Sequence, residues 1–395
     1  MCGLNQRLEA VDRMCTLARD SGPVRDALLV NLCSSSGLHS DSANRLFSLW
    51  LERCQRVDLA RITEVGRIGA VGTVGVVAPG NLCVATWQAV TEALLCGNRV
   101  IVRPGSGDPL SAGNLKRALA MVDGEVAACI EVLSFERDDR HGWQTLASRC
   151  DAIAVYGSDE AVEAIQGLVV QAETSTPVRC HGHKVSLAWL PAELIDQREA
   201  MARWARGFAH DVLVADGRGC MSLRALLTDV ELDSRRGREL IRHLREGMAS
   251  MATRYRGGSI SSADLASRRL FWEEAAFTAA NAPSEVSLCR DEALDWAVVM
   301  RSVRSPLDLS MLGPGSRLLT VCAVAGPVDL AGVLAPLRGH LSTLARPVDC
   351  SGDIDQQAHI AGFTRLCVPG RMQAPAIDRG FDGHPLGAFF VRSVP

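Results

Sequence analysis

Between residues 74 and 190, short apolar runs alternate with longer stretches whose apolar positions recur every three or four residues. The runs at 74–78, 99–102, 131–135, 152–156 and 185–190 have strand length, whereas 84–96, 109–122, 141–149 and 158–170 carry helical spacing. Strand and helix in turn predict a parallel sheet wrapped by helices, because a crossover of this length returns the chain in the same direction. Upstream, residues 4–56 read as mostly helical, with Ala43, Leu46, Phe47 and Trp50 on one stripe. Residues 61–78 alternate and are rich in glycine, which predicts a hairpin or edge strands. A second α/β region follows, with helices near 196–209 and 232–252 and strands near 223–228 and 317–324. Residues 386–394 read as a closing strand.

Two segments carry candidate chemistry. In the first, an apolar strand ends in Pro79-Gly80-Asn81, a helix follows, and Gly97-Asn98 stops it before a buried strand closing on Arg103-Pro104. Asn81 stands just past the strand end, where its amide could donate into a cleft. The second is Asp216-Gly217-Arg218-Gly219-Cys220-Met221-Ser222, ahead of the apolar run 223–227. Its glycines let a substrate approach the backbone and let a side chain project from a bend. A thiol so placed is a nucleophile if something lowers its pKa, and Arg218 is one candidate.

These segments and those between them arrive in a recognisable order. Pro79-Gly80-Asn81, Cys96-Gly97-Asn98-Arg99-Val100-Ile101, Tyr156-Gly157-Ser158, Gly182-His183-Lys184 and Gly217 to Ser222 resemble the successive motifs of the aldehyde dehydrogenase superfamily. The variants, together with the tail Arg365-Leu366-Cys367-Val368-Pro369-Gly370-Arg371-Met372, are similar to the bacterial acyl-CoA reductases of the luminescence-system type. The likeness spans roughly residues 60 to 395. It implies an aldehyde-dehydrogenase-like α/β fold with a Rossmann-like NADP-binding domain over 1–187, including the hairpin near 61–78. It further implies a catalytic domain over 188–355 and a C-terminal return over 356–395, whose strand would join the sheet of a partner subunit in a homodimer or homotetramer.

The resemblance also assigns roles. Cys220 would attack a thioester carbonyl, with the Asn81 amide and the Cys220 backbone N–H stabilising the oxyanion. The carrier thiol would leave, and hydride from NADPH would release an aldehyde. Arg103 and Ser106 stand where relatives carry Lys-Pro-x-Glu; Ser106 removes a carboxylate that would repel a 2′-phosphate, and Arg103 offers a guanidinium to it. Pro79, Gly157 and Ser158 would line the cofactor site, the last two opening a helix toward the pyrophosphate. Cys180 occupies the position of the water-activating glutamate of aldehyde-oxidising relatives, so the acyl-enzyme should escape hydrolysis. An acyltransferase or thioesterase using Cys220 without hydride, an acyl-phosphate reductase, and a non-catalytic scaffold are the alternatives. The substrate would be an acyl-CoA or a thioester on an acyl carrier protein.

Composition narrows the setting. At 395 residues, 47% apolar and with net charge −3, the chain can bury a large core and offers no electrostatic case for nucleic acid. No apolar run reaches the ~18 residues of a membrane helix, and the first residues lack the basic and apolar regions of a signal peptide. The 14 cysteines show no paired spacing, which points to a reducing cytoplasm. Cys180, His181 and His183 crowd three ligand types into four residues, unlike zinc spacing, so no metal is expected.

Overall fold

Helices open the chain where helical spacing is strongest; among the described residues these include α1 (Leu4–Arg19), α2 (Pro23–Leu29), α3 (Ser40–Arg53) and α4 (Arg56–Gly66). Helix α1 buries Ala10, Val11, Met14 and Ala18, one face at three- and four-residue intervals. Helix α4 replaces the first half of the hairpin expected near 61–78. Leu59, Ile62, Thr63 and Gly66 are its buried positions, a helical rather than a two-residue period, so packing overrides the local glycine content. The computed structural model describes residues 2–30, 33, 37–171, 176–324, 329–350, 353–380 and 382–392.

The chain forms two compact units. The first comprises Met1–Ser36, Phe47–His183 and Ala374–Pro395. Its core is a parallel sheet in the order β3-β2-β1-β4-β5, with β1 (Thr73–Val77), α5 (Cys83–Leu95), β2 (Arg99–Arg103), α6 (Ser111–Ala120), α7 (Gly124–Ala127), β3 (Ile130–Val132), α8 (Arg140–Arg149), β4 (Ala152–Tyr156), α9 (Asp159–Gln171) and β5 (Val178–His181) following one another. Val77, Ile101, Trp143, Leu146, Ile153 and Val155 form the apolar layer between this sheet and α8 and α9. Strand β5 was not expected. Its Arg179, Cys180 and His181 hide a strand that carries no apolar alternation.

The second unit comprises Gly37–Leu46 and Lys184–Gln373. It holds β6 (Val185–Trp189), α10 (Arg198–Leu213), β7 (Leu223–Thr228), α11 (Arg235–Arg254), α12 (Ser262–Asn281), β8 (Val286–Asp291), β9 (Trp296–Val303), β10 (Leu318–Val324), α13 (Leu330–Val333), β11 (Leu341–Ala345), α14 (Asp353–Ala361) and β12 (Arg365–Cys367). The sheet order is β12-β11-β6-β7-β10-β9-β8, parallel except for the edge strand β8. The strand expected at 185–190 therefore forms, but in this sheet rather than the first. It lies between β11 and β7 with every side chain buried.

The expected C-terminal return 356–395 divides at residue 373 between the two units. Its closing strand does not form over the described residues: 386–390 are turns, and Val391 makes a single antiparallel bridge to Ala70. Pro385 and Gly387, the latter at φ +65°, break the extended path. The Gly387 N–H instead donates to the buried Glu92 carboxylate at 3.0 Å, and Asn98 Nδ2 donates to the Phe390 carbonyl at 2.8 Å. Residues 393 and 394 lie outside the described residues.

Candidate active site

Cys220 stands on the turn that carries α10 into β7. Asp216 and Gly217 are buried, Cys220 is exposed, and Ser222 is buried again at the strand. Two left-handed residues, Asp216 at φ 51° and Gly217 at φ 70°, make the reversal. Glycine is needed at 217, because a Cβ there would come within 2.8 Å of the Ser316 amide nitrogen. The Asp216 carboxylate accepts from Arg317 Nη1 at 2.8 Å and from the Gly258 N–H at 3.0 Å. Both partners of that ion pair are buried, so losing Arg317 strands a buried carboxylate, whereas losing Asp216 leaves Arg317 only a longer contact of 3.6 Å to the part-exposed Asp295.

The other end of the turn is tied down as well. Ser186 Oγ donates to the Cys220 carbonyl at 2.7 Å and accepts from the Thr343 N–H at 3.3 Å, linking β6, β11 and the turn. Ser222 Oγ accepts from Gln373 Nε2 at 2.9 Å and from the Gly219 N–H at 3.3 Å. Arg218, the residue suggested by sequence as a thiol activator, donates through Nη2 to the Ser259 carbonyl. The result is an exposed thiol on a backbone held from both sides. None of the 14 cysteines forms a disulfide.

The tail motif folds against α10 in the same unit. Asp211 accepts from the Gly370 N–H at 2.6 Å and the Met372 N–H at 3.1 Å. Burial pushes its carboxyl up to about 8, and those two amides pull the other way. Arg365 donates to the carbonyls of Met372 and Arg371 at 2.7 and 2.6 Å. His210 Nδ1 lies 3.1 Å from Tyr255 Oη. His210 and Asp211 are thus occupied in packing α10.

In the first unit, β1, β2 and β4 are parallel neighbours, so their carboxyl ends share one edge of the sheet. Chain order runs outward from β1 to β2 and β3 on one side and resumes with β4 on the other, making a switch point between β1 and β4. Crevices outside such a point are where open parallel sheets bind ligands. Pro79 and Asn81 follow β1, Arg103 ends β2 with Ser106 beyond it, and Gly157 and Ser158 follow β4. All six candidates from this unit therefore lie on one sheet edge.

The turns there are closely packed. A Cβ on Gly105 would fall 2.6 Å from Gly80 Cα, and one on Gly107 would fall 2.2 Å from the Gly80 carbonyl. Asn81 and Ser106 are exposed at the tips. Helix α5 has Leu82 at its N-cap, whose side chain cannot cap the helix, and Asn81 stands one residue before it. Arg103 lies over the rings of Phe135 and Trp143, each 5.5 Å away, and donates to the carbonyls of Pro104 and Phe135 at 3.0 and 3.3 Å. Burial lowers its pKa. Ser158 Oγ accepts from the Ala161 N–H at 3.3 Å in the first turn of α9.

Cys180 packs half-buried against the apolar layer of the sheet, and burial raises its thiol pKa. The neighbouring His181 faces the other way, as consecutive strand residues do. It stacks on Tyr156 at 4.5 Å, with Nδ1 2.6 Å from the Asp382 carboxylate. Sequence gave no signal for that pair, which is 201 residues apart. Among the described residues no three His, Cys, Asp or Glu side chains converge as metal ligands do, and no helix is long and apolar enough to cross a membrane.

The family model of the acyl-CoA reductases (LuxC) matches residues 64–390. The chain belongs to that family. The resemblance read from the motifs is borne out, and the protein is an oxidoreductase acting on acyl groups to give aldehydes. Solved structures share its fold. An NAD-dependent benzaldehyde dehydrogenase from Corynebacterium glutamicum superposes with a TM-score of 0.67 at 16% identity, over 95% of this chain and 82% of its own. Aldehyde dehydrogenase 21 from Physcomitrella patens, solved with the reaction product succinate, gives 0.68 at 12% identity over 96% and 82%. An NAD-dependent aldehyde dehydrogenase from Sinorhizobium meliloti gives 0.64 at 13% over 93% and 75%. The aldehyde-dehydrogenase-like α/β fold is therefore that of this member of the acyl-CoA reductase family. No curated protein sequence matches the chain.

Proposed function

We propose that this family member reduces an acyl thioester, carried on coenzyme A or a carrier protein, to an aldehyde with NADPH through an acyl-Cys220 intermediate. The observation that carries the reading is the Cys220 turn: an exposed thiol on a backbone fixed by the Asp216–Arg317 pair and by Ser186. A nucleophile needs that combination of access and fixed position. Attack by the thiolate on the thioester carbonyl forms the new C–S bond, and collapse expels the carrier thiolate, which takes up a proton. Asn81 and the Cys220 N–H are assigned to the oxyanion.

The carboxyl edge of the first sheet suits a dinucleotide. Beside the β1/β4 switch point, the turns after β1 and β2 meet at glycines, and an exposed serine stands where a carboxylate would repel phosphate. Pro79, Gly157 and Ser158 would line the pyrophosphate side, and Arg103 with Ser106 the ribose phosphate. A reduced nicotinamide bound there supplies the hydride. Cys180 supports the reductive direction: an apolar neighbour and a raised pKa make its thiol a poor base for water, so the acyl-enzyme is not drained to free acid.

Cys220→Ala tests the assignment directly. The variant should fold, bind cofactor, fail to take up label from a radiolabelled acyl-CoA, and yield no aldehyde. Labelling or turnover within tenfold of the parent would remove Cys220 from the mechanism.

A further inference from the structure

Two thiols that this chemistry does not use meet in the first unit. Cys2 Sγ lies 3.2 Å from Cys129 Sγ, joining positions 127 residues apart. One precedes α1 and the other precedes β3. Cys2 is partly exposed, and Cys129 lines a surface cavity of about 200 Å³ together with Thr73, Arg99, Glu131 and Arg149. A hydroperoxide fits the cavity beside Cys129, and the partly exposed Cys2 can be approached from solvent.

A buried cation sits against the pair. Arg7 is 1% exposed, and its guanidinium donates to the carbonyls of Cys2, Leu94 and Asn98 and to Cys129 Sγ at 3.6 Å. No carboxylate is among these partners. A guanidinium so placed favours negative charge on the one neighbour able to carry it, the Cys129 sulfur. On balance the Cys129 thiol pKa is raised, by burial first and then by the contact with Cys2, and Arg7 and Arg99 pull the other way. Cys15 and Cys54 also contact one another, but both are 0% exposed. Proximity, access and a cation coincide only at Cys2 and Cys129 of these two pairs.

We propose that Cys2 and Cys129 are a redox-modification site, converted by hydroperoxides to a disulfide that ties the start of α1 to the sheet. The more exposed Cys2 thiolate attacks the terminal peroxide oxygen and the O–O bond breaks, giving a sulfenic acid and releasing hydroxide from hydrogen peroxide, or alkoxide from an organic hydroperoxide, which is then protonated to water or alcohol. The Cys129 thiolate then attacks that sulfur, forming the S–S bond and expelling hydroxide, which is protonated to water. Two thiols lose two electrons in all, and one hydroperoxide is reduced. Closing from the observed separation to a bond of about 2.05 Å takes about 1.2 Å of movement, within reach of side-chain rotation. The bond removes freedom from the unfolded chain over a long loop and should raise the melting midpoint of the first unit.

The test is peptide mass mapping of the full chain after hydrogen peroxide and alkylation, without reductant. The expected product is a linked pair of peptides containing Cys2 and Cys129, lighter by about 2 Da than their sum and released by dithiothreitol. It should form equally in Cys220→Ala, and it should vanish, with the rise in melting midpoint, in Cys2→Ser and in Cys129→Ser. Recovery of both residues as alkylated thiols, under peroxide that fully oxidises Cys220, would overturn the site. Their separate oxidation to sulfinic acids would overturn it equally.

Discussion

Ser186→Ala is the substitution that separates a held nucleophile from an exposed thiol that merely happens to be there. Its hydroxyl is fully buried and serves two backbone groups at once, the Cys220 carbonyl at 2.7 Å and the Thr343 N–H at 3.3 Å. Removing it orphans the Thr343 N–H in the interior of the sheet, a penalty of about 1–3 kcal/mol. The Cys220 carbonyl lies on an exposed residue and can turn to water, so its loss appears less in stability than in position. Misplacement of a nucleophile by about 1 Å is worth roughly a hundredfold in rate. Acylation by the thioester should therefore slow by about ten- to a hundredfold, while the dissociation constant of NADPH stays unchanged.

The matched control is Thr320→Val. Thr320 is also fully buried in the second unit, and its hydroxyl donates to the Leu312 carbonyl at 3.0 Å, on β10 rather than at the turn. It should lower the unfolding midpoint by a similar amount and leave acylation alone. Single-turnover release of the carrier thiol, corrected for the folded fraction from urea unfolding, gives the comparison. If Ser186→Ala acylates at the parent rate, or if Thr320→Val slows acylation as much, the turn owes nothing to its serine tether and the reasoning fails.

Asn81→Ala should cut kcat by about a hundred- to a thousandfold with little change in cofactor affinity, as loss of one oxyanion donor does, and steady-state kinetics will show it; a purely thermal effect would deny the role. Ser106→Glu should erode or reverse a preference for NADPH worth about ten- to a hundredfold, read as the ratio of kcat/KM for the two cofactors. Equal ratios in the parent protein would end that reading. Asp211 gives a pH signature: its folded value of about 8 lies above the unfolded value of about 3.9. Between those limits the folded chain keeps a proton the unfolded chain has released, so stability should fall as pH rises from about 4 to 8 and level off above. Asp211→Asn should flatten that slope in urea midpoints, and an unchanged slope would show that the carboxyl is ionised throughout.

What could be read from the sequence was local. The strands at 74–78, 99–102 and 152–156 declared themselves because each is an apolar run closed by a turn residue, and β1, β2 and β4 stand there. Strand β5 did not, since Val178–His181 gains its place by pairing with β4 rather than by its own composition. The hairpin expected near 61–78 failed for a related reason. Alternation across glycines is a weak pattern, and the buried stripe of α4 comes from what its neighbours cover. Helix α12 was missed because apolar residues lie all round it, leaving no period to find.

The candidate site divides along the same line. Glycines around a thiol, an asparagine past a strand end and a serine in place of a carboxylate are statements a few residues long, and each was legible. The groups that hold them are not adjacent in sequence. Arg317 reaches Asp216 across 101 residues, Gln373 reaches Ser222 across 151, and Asp382 reaches His181 across 201. Each is an ordinary polar residue until the fold delivers it, and no spacing rule singles it out. A motif therefore names the atom proposed to react, whereas its fixed position is supplied by distant side chains. Changes at Ser186 or Arg317 should on that account damage the chemistry while leaving every motif residue intact.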